Sequence, residues 1–349
     1  MNKEQLINAF SQLGKIMTHI GHDLPWQGYE IGLTENEHFE FNETIKRQIF
    51  HNGWFTEELV RKSILNLGIW LNKESLSEWL KSYDFNINPK NIAVIMAGNI
   101  PLVGFHDFLC VLASGNRILC KLSSEDKQLL PLISKHLIQI EPEFEKLIAF
   151  SDRNLKDFDA VIATGSNNSL LHFEQYFSKY PHLFRHNRTS VAILNGEETK
   201  EELTLLGNDI LDYFGRGCRN VSHLILPNGF DLNRFFEAIV DQGEVINNKK
   251  YGNNYDYNKA IHLMNQAVFL DNNFLLLKES MDLFSPLSMV HYHFYNDDNE
   301  LNDFLSLNKE SIQCLIGRNY IPFGQGQCPK LNDYADGIDT MRWLSGLNM

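Results

Sequence analysis

The chain has 349 residues, 43% of them hydrophobic, which suits a globular protein with a sizeable core and room for two domains. A formal net charge of -13 works against nucleic-acid binding, which draws its affinity from cations facing phosphates, and no apolar run approaches a membrane span. Five cysteines, Cys110, Cys120, Cys218, Cys314 and Cys328, form no CxxC pair and no cluster with histidine at zinc spacing, so no metal site and a reducing, cytoplasmic setting are expected.

The amino terminus, MNKEQLINAFSQLGKIM, lacks the basic start and unbroken apolar run of a signal peptide. Leu6, Ile7, Phe10, Leu13 and Met17 recur at helical spacing, and WFTEELVRKSILNLGIWL repeats the pattern near residue 60. Both read as amphipathic helices that pack on the rest of the fold rather than on a membrane. From Asn91 the texture changes. NIAVIMA is a short apolar run ending at Gly98, NRILCKLSS is another, and helix-compatible PLVGFHDFLCVLAS lies between them: strand, helix, strand. DAVIATG, the helix-compatible NNSLLHFEQYF and the run TSVAIL continue the alternation, so residues 91 to about 194 read as a doubly wound α/β domain.

A helix through TLLGNDILDYF, a cysteine turn and a strand in SHLILP open a second α/β region that runs to about Pro322. Its NNKKYGNNYDYN stretch is polar and Asn-rich and reads as an exposed loop. Three glycine-bearing turns, AGNIP, ATGSNNS and GRGC, fall at the ends of expected strands, where ligands bind in open parallel sheets; none matches the G-x-G-x-x-G dinucleotide fingerprint. In FGRGCRNVS, Cys218 stands between arginines and beside flexible glycines, surroundings that suit an accessible thiolate rather than a small buried hydrophobe. Cys110 and Cys120 lie in apolar runs and read as core, and His106 reads as packed on its helix, with proton relay near the site as the alternative.

Taken in this order, the turns resemble the aldehyde dehydrogenase superfamily, and within it the acyl-CoA reductase family typified by the fatty acid reductase of bacterial bioluminescence, over about residues 91 to 345. The resemblance implies an α/β, aldehyde dehydrogenase-like fold with a doubly wound cofactor domain and an α/β catalytic domain. The corresponding division is an N-terminal helical segment over 1–90, a dinucleotide-binding domain over 91–195, a catalytic domain over 196–322 and a C-terminal segment over 323–349.

By the same resemblance Asn99, in Ala97-Gly98-Asn99-Ile100-Pro101-Leu102, supplies a side-chain amide to an oxyanion hole. Lys121, at the end of a strand, contacts the adenosine ribose of the dinucleotide. Relatives that prefer NAD commonly carry a glutamate three residues after that lysine; here Ser124 stands there, which favours NADP(H), with Glu125 next to it. Thr164, Gly165 and Ser166 resemble the turn that opens a helix beside the pyrophosphate, and Asp282, in DLFSPL, the acid on the nicotinamide ribose. Cys218 is the implied nucleophile, and Arg216 and Arg219 lower its pKa or hold a substrate anion. The Ile321-Pro322-Phe323-Gly324 loop is read as structural support near the site.

Hydrolytic aldehyde dehydrogenases carry a Glu-Leu-Gly-Gly segment whose glutamate activates water; the corresponding Arg185-His186-Asn187-Arg188-Thr189-Ser190-Val191-Ala192-Ile193-Leu194 has no acid, so a thioester on cysteine should survive to meet hydride or a thiol. Arg185 and Arg188 read as a solvated basic face, with contact to CoA phosphates as the alternative. The expected activity is NADPH-dependent reduction of a long-chain acyl thioester, on CoA or a carrier protein, to the fatty aldehyde, in a protein that the family implies to be a homodimer. Three rivals stand beside it: a CoA-acylating aldehyde dehydrogenase or acyl-phosphate reductase of the same fold, an acyltransferase module that uses the cysteine without redox chemistry, and a non-catalytic scaffold, against which the retained Asn99, Lys121 and Cys218 speak.

Overall fold

The structure is a computed structural model that describes residues 1–29, 32–85, 88–152 and 155–347. The chain forms two compact units, Met1–His186 with Lys330–Met349, and Asn187–Pro329.

The first unit begins with four helices: α1 (Lys3–Gly21), α2 (Glu35–His51), α3 (Glu57–Trp70) and α4 (Lys73–Leu80). Each starts where the sequence supplies a cap. Asn2 and Thr34 close reciprocal capping boxes with Gln5 and Glu37, and Thr56 and Asn72 accept from the backbone N–H groups of Leu59 and Ser75. The apolar stripe of α1 is the one legible in the sequence, with Leu6, Phe10, Leu13, Met17 and Ile20 fully buried. Then follow β1 (Asn91–Ile95), α5 (Phe105–Ala113), β2 (Arg117–Lys121), α6 (Leu129–Ile140), β3 (Ile148–Phe150), β4 (Ala160–Thr164), α7 (Asn167–Phe177) and β5 (His182–Arg185). The strands form one parallel sheet in the order β3-β2-β1-β4-β5. The chain winds outward from β1 through β2 to β3 and resumes on the other side of β1 with β4, so the carboxyl ends of β1 and β4 mark the topological switch point. A short helix, Thr340–Gly346, returns to this unit.

The second unit contains β6 (Thr189–Ile193), α8 (Lys200–Leu211), β7 (Val221–Pro227), α9 (Leu232–Ala238), α10 (Lys249–Met264), β8 (Leu270–Asp271), β9 (Leu276–Glu279), β10 (Met289–Tyr295), α11 (Asp298–Asn308) and β11 (Ile312–Ile316). Its six-stranded sheet has the order β11-β6-β7-β10-β9-β8, parallel except for the antiparallel β8–β9 pair. Leu194, Leu206, Leu224, Phe235 and Leu277 are buried together in one of its core clusters.

Two expectations differ from the structure. TSVAIL, read as the last strand of the doubly wound domain, is β6 and lies in the second sheet, between β11 and β7. Only residues 186–188 separate it from β5, too few for the crossover that joins parallel neighbours, so it has to leave the first sheet. The Asn-rich NNKKYGNNYDYN stretch is not a loop but most of α10. Asn248 caps that helix on the N–H groups of Lys250 and Tyr251, and Tyr251 and Tyr255, four apart, bury one face. Among the described residues no helix is long and apolar enough to cross a membrane.

Candidate active site

In the first unit the structure gathers the predicted residues at the carboxyl ends of three adjacent strands. β1 leads into the Gly98–Leu102 turn with half-buried Asn99, β2 ends at Lys121 followed by exposed Ser124, and β4 ends at Thr164 followed by Gly165 and Ser166. Ser166 is the N-cap of α7, its Oγ accepting from Ser169 N at 3.3 Å, so the N-terminal N–H groups of α7 open beside the switch point. The turns pack closely: a Cβ on Gly98 would lie 2.7 Å from the Ser123 side chain. Glu125 is drawn toward α2, where its Oε2 accepts from Asn52 Nδ2 at 3.4 Å. This donor set suits a dinucleotide: N–H groups at a helix start for the pyrophosphate, with a lysine and a hydroxyl two strands away, across β1.

In the second unit Cys218 is exposed on a turn with unusual backbone geometry. Tyr213, Phe214 and Gly215, with φ of 51°, 59° and 73°, are three successive residues in the left-handed region, and two of them are aromatic. Such a run persists only where its surroundings overdetermine it. Asn220 does much of this. Its Nδ2 donates to the carbonyls of Asp209 (3.0 Å), Ile210 (3.3 Å) and Asp212 (2.8 Å), and its Oδ1 accepts from Gly217 N (2.8 Å). Ser190 Oγ donates to the Cys218 carbonyl at 3.0 Å. From below, buried Asp209 accepts from Gly324 N (2.6 Å) and Gly326 N (2.8 Å), and Arg219 Nε donates to the Gly326 carbonyl (2.6 Å). The Pro322–Gly326 loop thus supports the cysteine turn, as the sequence suggested. A cysteine held outward on a fixed turn can act as a nucleophile without reorganising its backbone. Asn220→Ala should cost about 2 kcal/mol or more in urea unfolding, because it removes the Nδ2 donor from three carbonyls, two of them in buried contacts; an unchanged midpoint would mean that the turn is held otherwise.

Asp282 has an exposed side chain, while its carbonyl accepts from two buried histidines, His223 Nδ1 at 3.0 Å and His291 Nδ1 at 2.9 Å. With Nδ1 of His223 protonated, its Nε2 is an acceptor, so His293 Nδ1 donates to it across 2.6 Å. Ser222 Oγ holds the next carbonyl, Leu283, at 2.9 Å. Burial, then the neighbouring His293, pushes His223 down to about 3, and burial lowers His291 and His293 as well.

Other predicted residues have structural partners. Arg185 is neither solvated nor accessible to a phosphate: it is 3% exposed, paired with Asp107 at 2.8 Å, and donates to the Ala335 carbonyl and to Thr340 Oγ1. A guanidinium at the end of a buried parallel strand needs such partners. Arg188 donates to the Ile312 carbonyl and lies 3.8 Å from Glu310. His106 is packed, its Nε2 on the Leu331 carbonyl with Trp70, Trp79 and Tyr334 around the ring. Cys110 and Cys120 are buried, and burial raises both thiols, so neither competes as a thiolate. Asn220, Asp209 and the histidine trio escaped sequence reading. An asparagine two residues after the cysteine, in glycine-rich surroundings, was the one available signal.

Solved structures with the same fold include an acetylating aldehyde dehydrogenase from Geobacillus thermoglucosidasius, at 11% identity over 90% of this chain and 76% of that one, TM-score 0.60. An NADP dependent enzyme of E. coli gives 10% identity, 90% and 76% coverage and a TM-score of 0.59. An aldehyde dehydrogenase of Mycobacterium tuberculosis, complexed with NAD+, gives 10%, 84% and 70%, and 0.56. At these identities the likeness establishes the fold, which is that of the aldehyde dehydrogenases. Comparison with curated proteins gives no match. The model of the acyl-CoA reductase (LuxC) family matches residues 56–235, over half of the chain and from α3 through the cysteine turn to α9, and the protein belongs to that family.

Proposed function

We propose that the protein reduces a long-chain fatty acyl-CoA to the fatty aldehyde with NADPH, through an acyl-enzyme on Cys218. The observation that carries this reading is the exposed Cys218 on its braced left-handed turn, inside the segment matched to the acyl-CoA reductase family. The Cys218 thiolate attacks the thioester carbonyl and forms a new C–S bond. The oxyanion is stabilised by the Cys218 backbone N–H, with the Asn99 amide as the second donor carried over from the resemblance. Collapse breaks the bond to CoA, which leaves as a thiolate, while Arg216 and Arg219 favour the anionic partners of this exchange. The segment that would supply a hydrolytic base has no acid, so the thioester persists.

Lys121, Ser124, Thr164, Gly165, Ser166 and the Asp282 carboxylate are the groups that would hold NADP(H), which when bound supplies the hydride that reduces the acyl carbon. Aldehyde then departs and Cys218 is regenerated as a thiolate. The balance is one acyl-CoA, one NADPH and one proton to aldehyde, CoA and NADP+.

The test follows nicotinamide absorbance with acyl-CoAs of graded length and traps the aldehyde. NADPH loss matched by aldehyde is expected. Acyl label on the protein with no NADPH oxidation would move the acyl-transfer reading to first place, and turnover only from aldehyde, CoA and NADP+ would favour the acylating dehydrogenase. Cofactor choice has its own check. Ser124→Glu should lower the ratio of kcat/KM for NADPH over NADH at least about tenfold, because a carboxylate there repels a 2′-phosphate; a parent enzyme that already prefers NADH would remove the Ser124 argument.

A further inference from the structure

The turn that carries Asn99 is held from two sides by side chains outside the strand it follows. Leu102, a buried non-glycine residue, has φ of 58°, in the left-handed region. Its N–H is accepted by Asp126 Oδ2 at 2.8 Å, and the preceding carbonyl, Pro101 O, accepts from Ser63 Oγ at 2.7 Å. Ser63 and Asp126 are both 7% exposed. Ser63 stands in α3, whereas Asp126 follows Lys121 and Ser124 by two residues beyond the latter and bonds its own N–H to the Ser123 carbonyl. Ser123 in turn packs under Gly98, where no Cβ fits.

A carboxyl at this depth is costly to keep. Burial pushes Asp126 up to about 6, against the pull of the Leu102 and Leu129 N–H groups, and its Oδ1 is buried with no hydrogen-bond partner among the described residues. An apolar side chain would fill the same space without that cost, but it would free the Leu102 N–H and let a strained turn relax.

We propose that Asp126 is a positioning residue: with Ser63 opposite, it clamps the Asn99 turn and ties it to the Lys121–Ser124 segment. This rests on the reading of Asn99 as an oxyanion donor. The clamp matters because an oxyanion donor must already be aimed when charge develops, and a displacement of about 1 Å costs on the order of 100-fold. The amide of Asn99 is fixed three residues from a backbone group that Asp126 holds directly.

The experiment compares the parent protein with Asp126→Ala, Asp126→Asn and Ser63→Ala. It reads the single-turnover rate of acyl-enzyme formation, the Kd for NADPH, and hydrogen exchange of the peptide spanning residues 97–104. Asp126→Ala should acylate roughly 10- to 100-fold more slowly, with NADPH Kd within about threefold, and its 97–104 amides should exchange at least about tenfold faster. Asp126→Asn, which keeps an oxygen for the Leu102 N–H, should recover most of both, and Ser63→Ala should show a smaller loss of the same kind. Equal losses in the alanine and asparagine variants, or an unchanged acylation rate in Asp126→Ala, would overturn the clamp. If the parent forms no acyl-enzyme, the proposed function itself fails and the role given to this turn fails with it.

Discussion

Cys218→Ala protein mixed with radiolabelled long-chain acyl-CoA is expected to carry no acid-stable label and to oxidise NADPH at least about 10⁴-fold more slowly than the parent. The size of the loss follows from the chemistry: without a nucleophile the thioester has to meet hydride directly, and neither its orientation nor its leaving group is prepared. Cys218→Ser is the sharper variant. It preserves volume and the Ser190 contact to the residue 218 carbonyl, but an alkoxide is far harder to form than a thiolate, so its loss should approach that of alanine while thermal stability stays near the parent value. The other cysteines give the control. Cys110, Cys120 and Cys314 are buried and Cys328 is exposed, so Cys328→Ala should label and turn over normally. Label that survives in Cys218→Ala and disappears in Cys328→Ala would transfer the nucleophile to Cys328.

The prominence of Cys218 in the sequence has a physical basis. An exposed cysteine on a tight turn needs glycine for the backbone and polar neighbours to suit a thiolate, and both needs are met within five residues. The β1-α5-β2 unit was legible for a similar reason: short apolar runs bounded by small or polar residues encode a buried parallel strand locally. What holds the site was not legible. Asp126, Asp209 and Asn220 each act on backbone groups brought to them by the fold, and nothing in an isolated aspartate or asparagine tells a clamp from a solvated side chain. Arg185 failed in the opposite direction. Two arginines around a histidine look like a basic surface, yet the first is buried because Asp107, distant in sequence, is delivered to it. The placement of β6 was readable, since three linking residues cannot make a parallel crossover, but its apolar run alone does not say which sheet it joins.

The second large effect concerns acid. Folding stability should fall steeply as the pH drops from about 6.5 toward 5, before most carboxylates titrate. His223, fully buried and lowered to about 3, sets the sign. In that window the unfolded chain takes a proton at this histidine, with its ordinary value of 6.5, and the folded protein does not. Stability is therefore fully present above 6.5 and is lost at about 1.4 kcal/mol per pH unit below it. The cause is visible around the ring. Nδ1 already donates to the Asp282 carbonyl, Nε2 already accepts from His293, His291 donates to the same carbonyl, and Phe304 packs on one face, so a second proton has nowhere to go. His106, His136, His291 and His293 are lowered by burial as well and act in the same direction. Asp126 opposes them, because a carboxyl raised to about 6 takes up its proton in the folded state first and stabilises that state as the pH falls. His38 and His262 are lowered by burial too, so one such group stands against seven histidines and leaves a net loss. Urea midpoints measured at pH 7.5, 6.5, 5.5 and 5.0 should decline throughout the lower range. His223→Gln should flatten the slope by about one proton whatever its absolute stability, since the variant removes a titrating group from the unfolded chain. Midpoints that stay level down to pH 5 would mean that these histidines protonate in place, and the Asp282 carbonyl would then be held by charged donors rather than by the neutral relay.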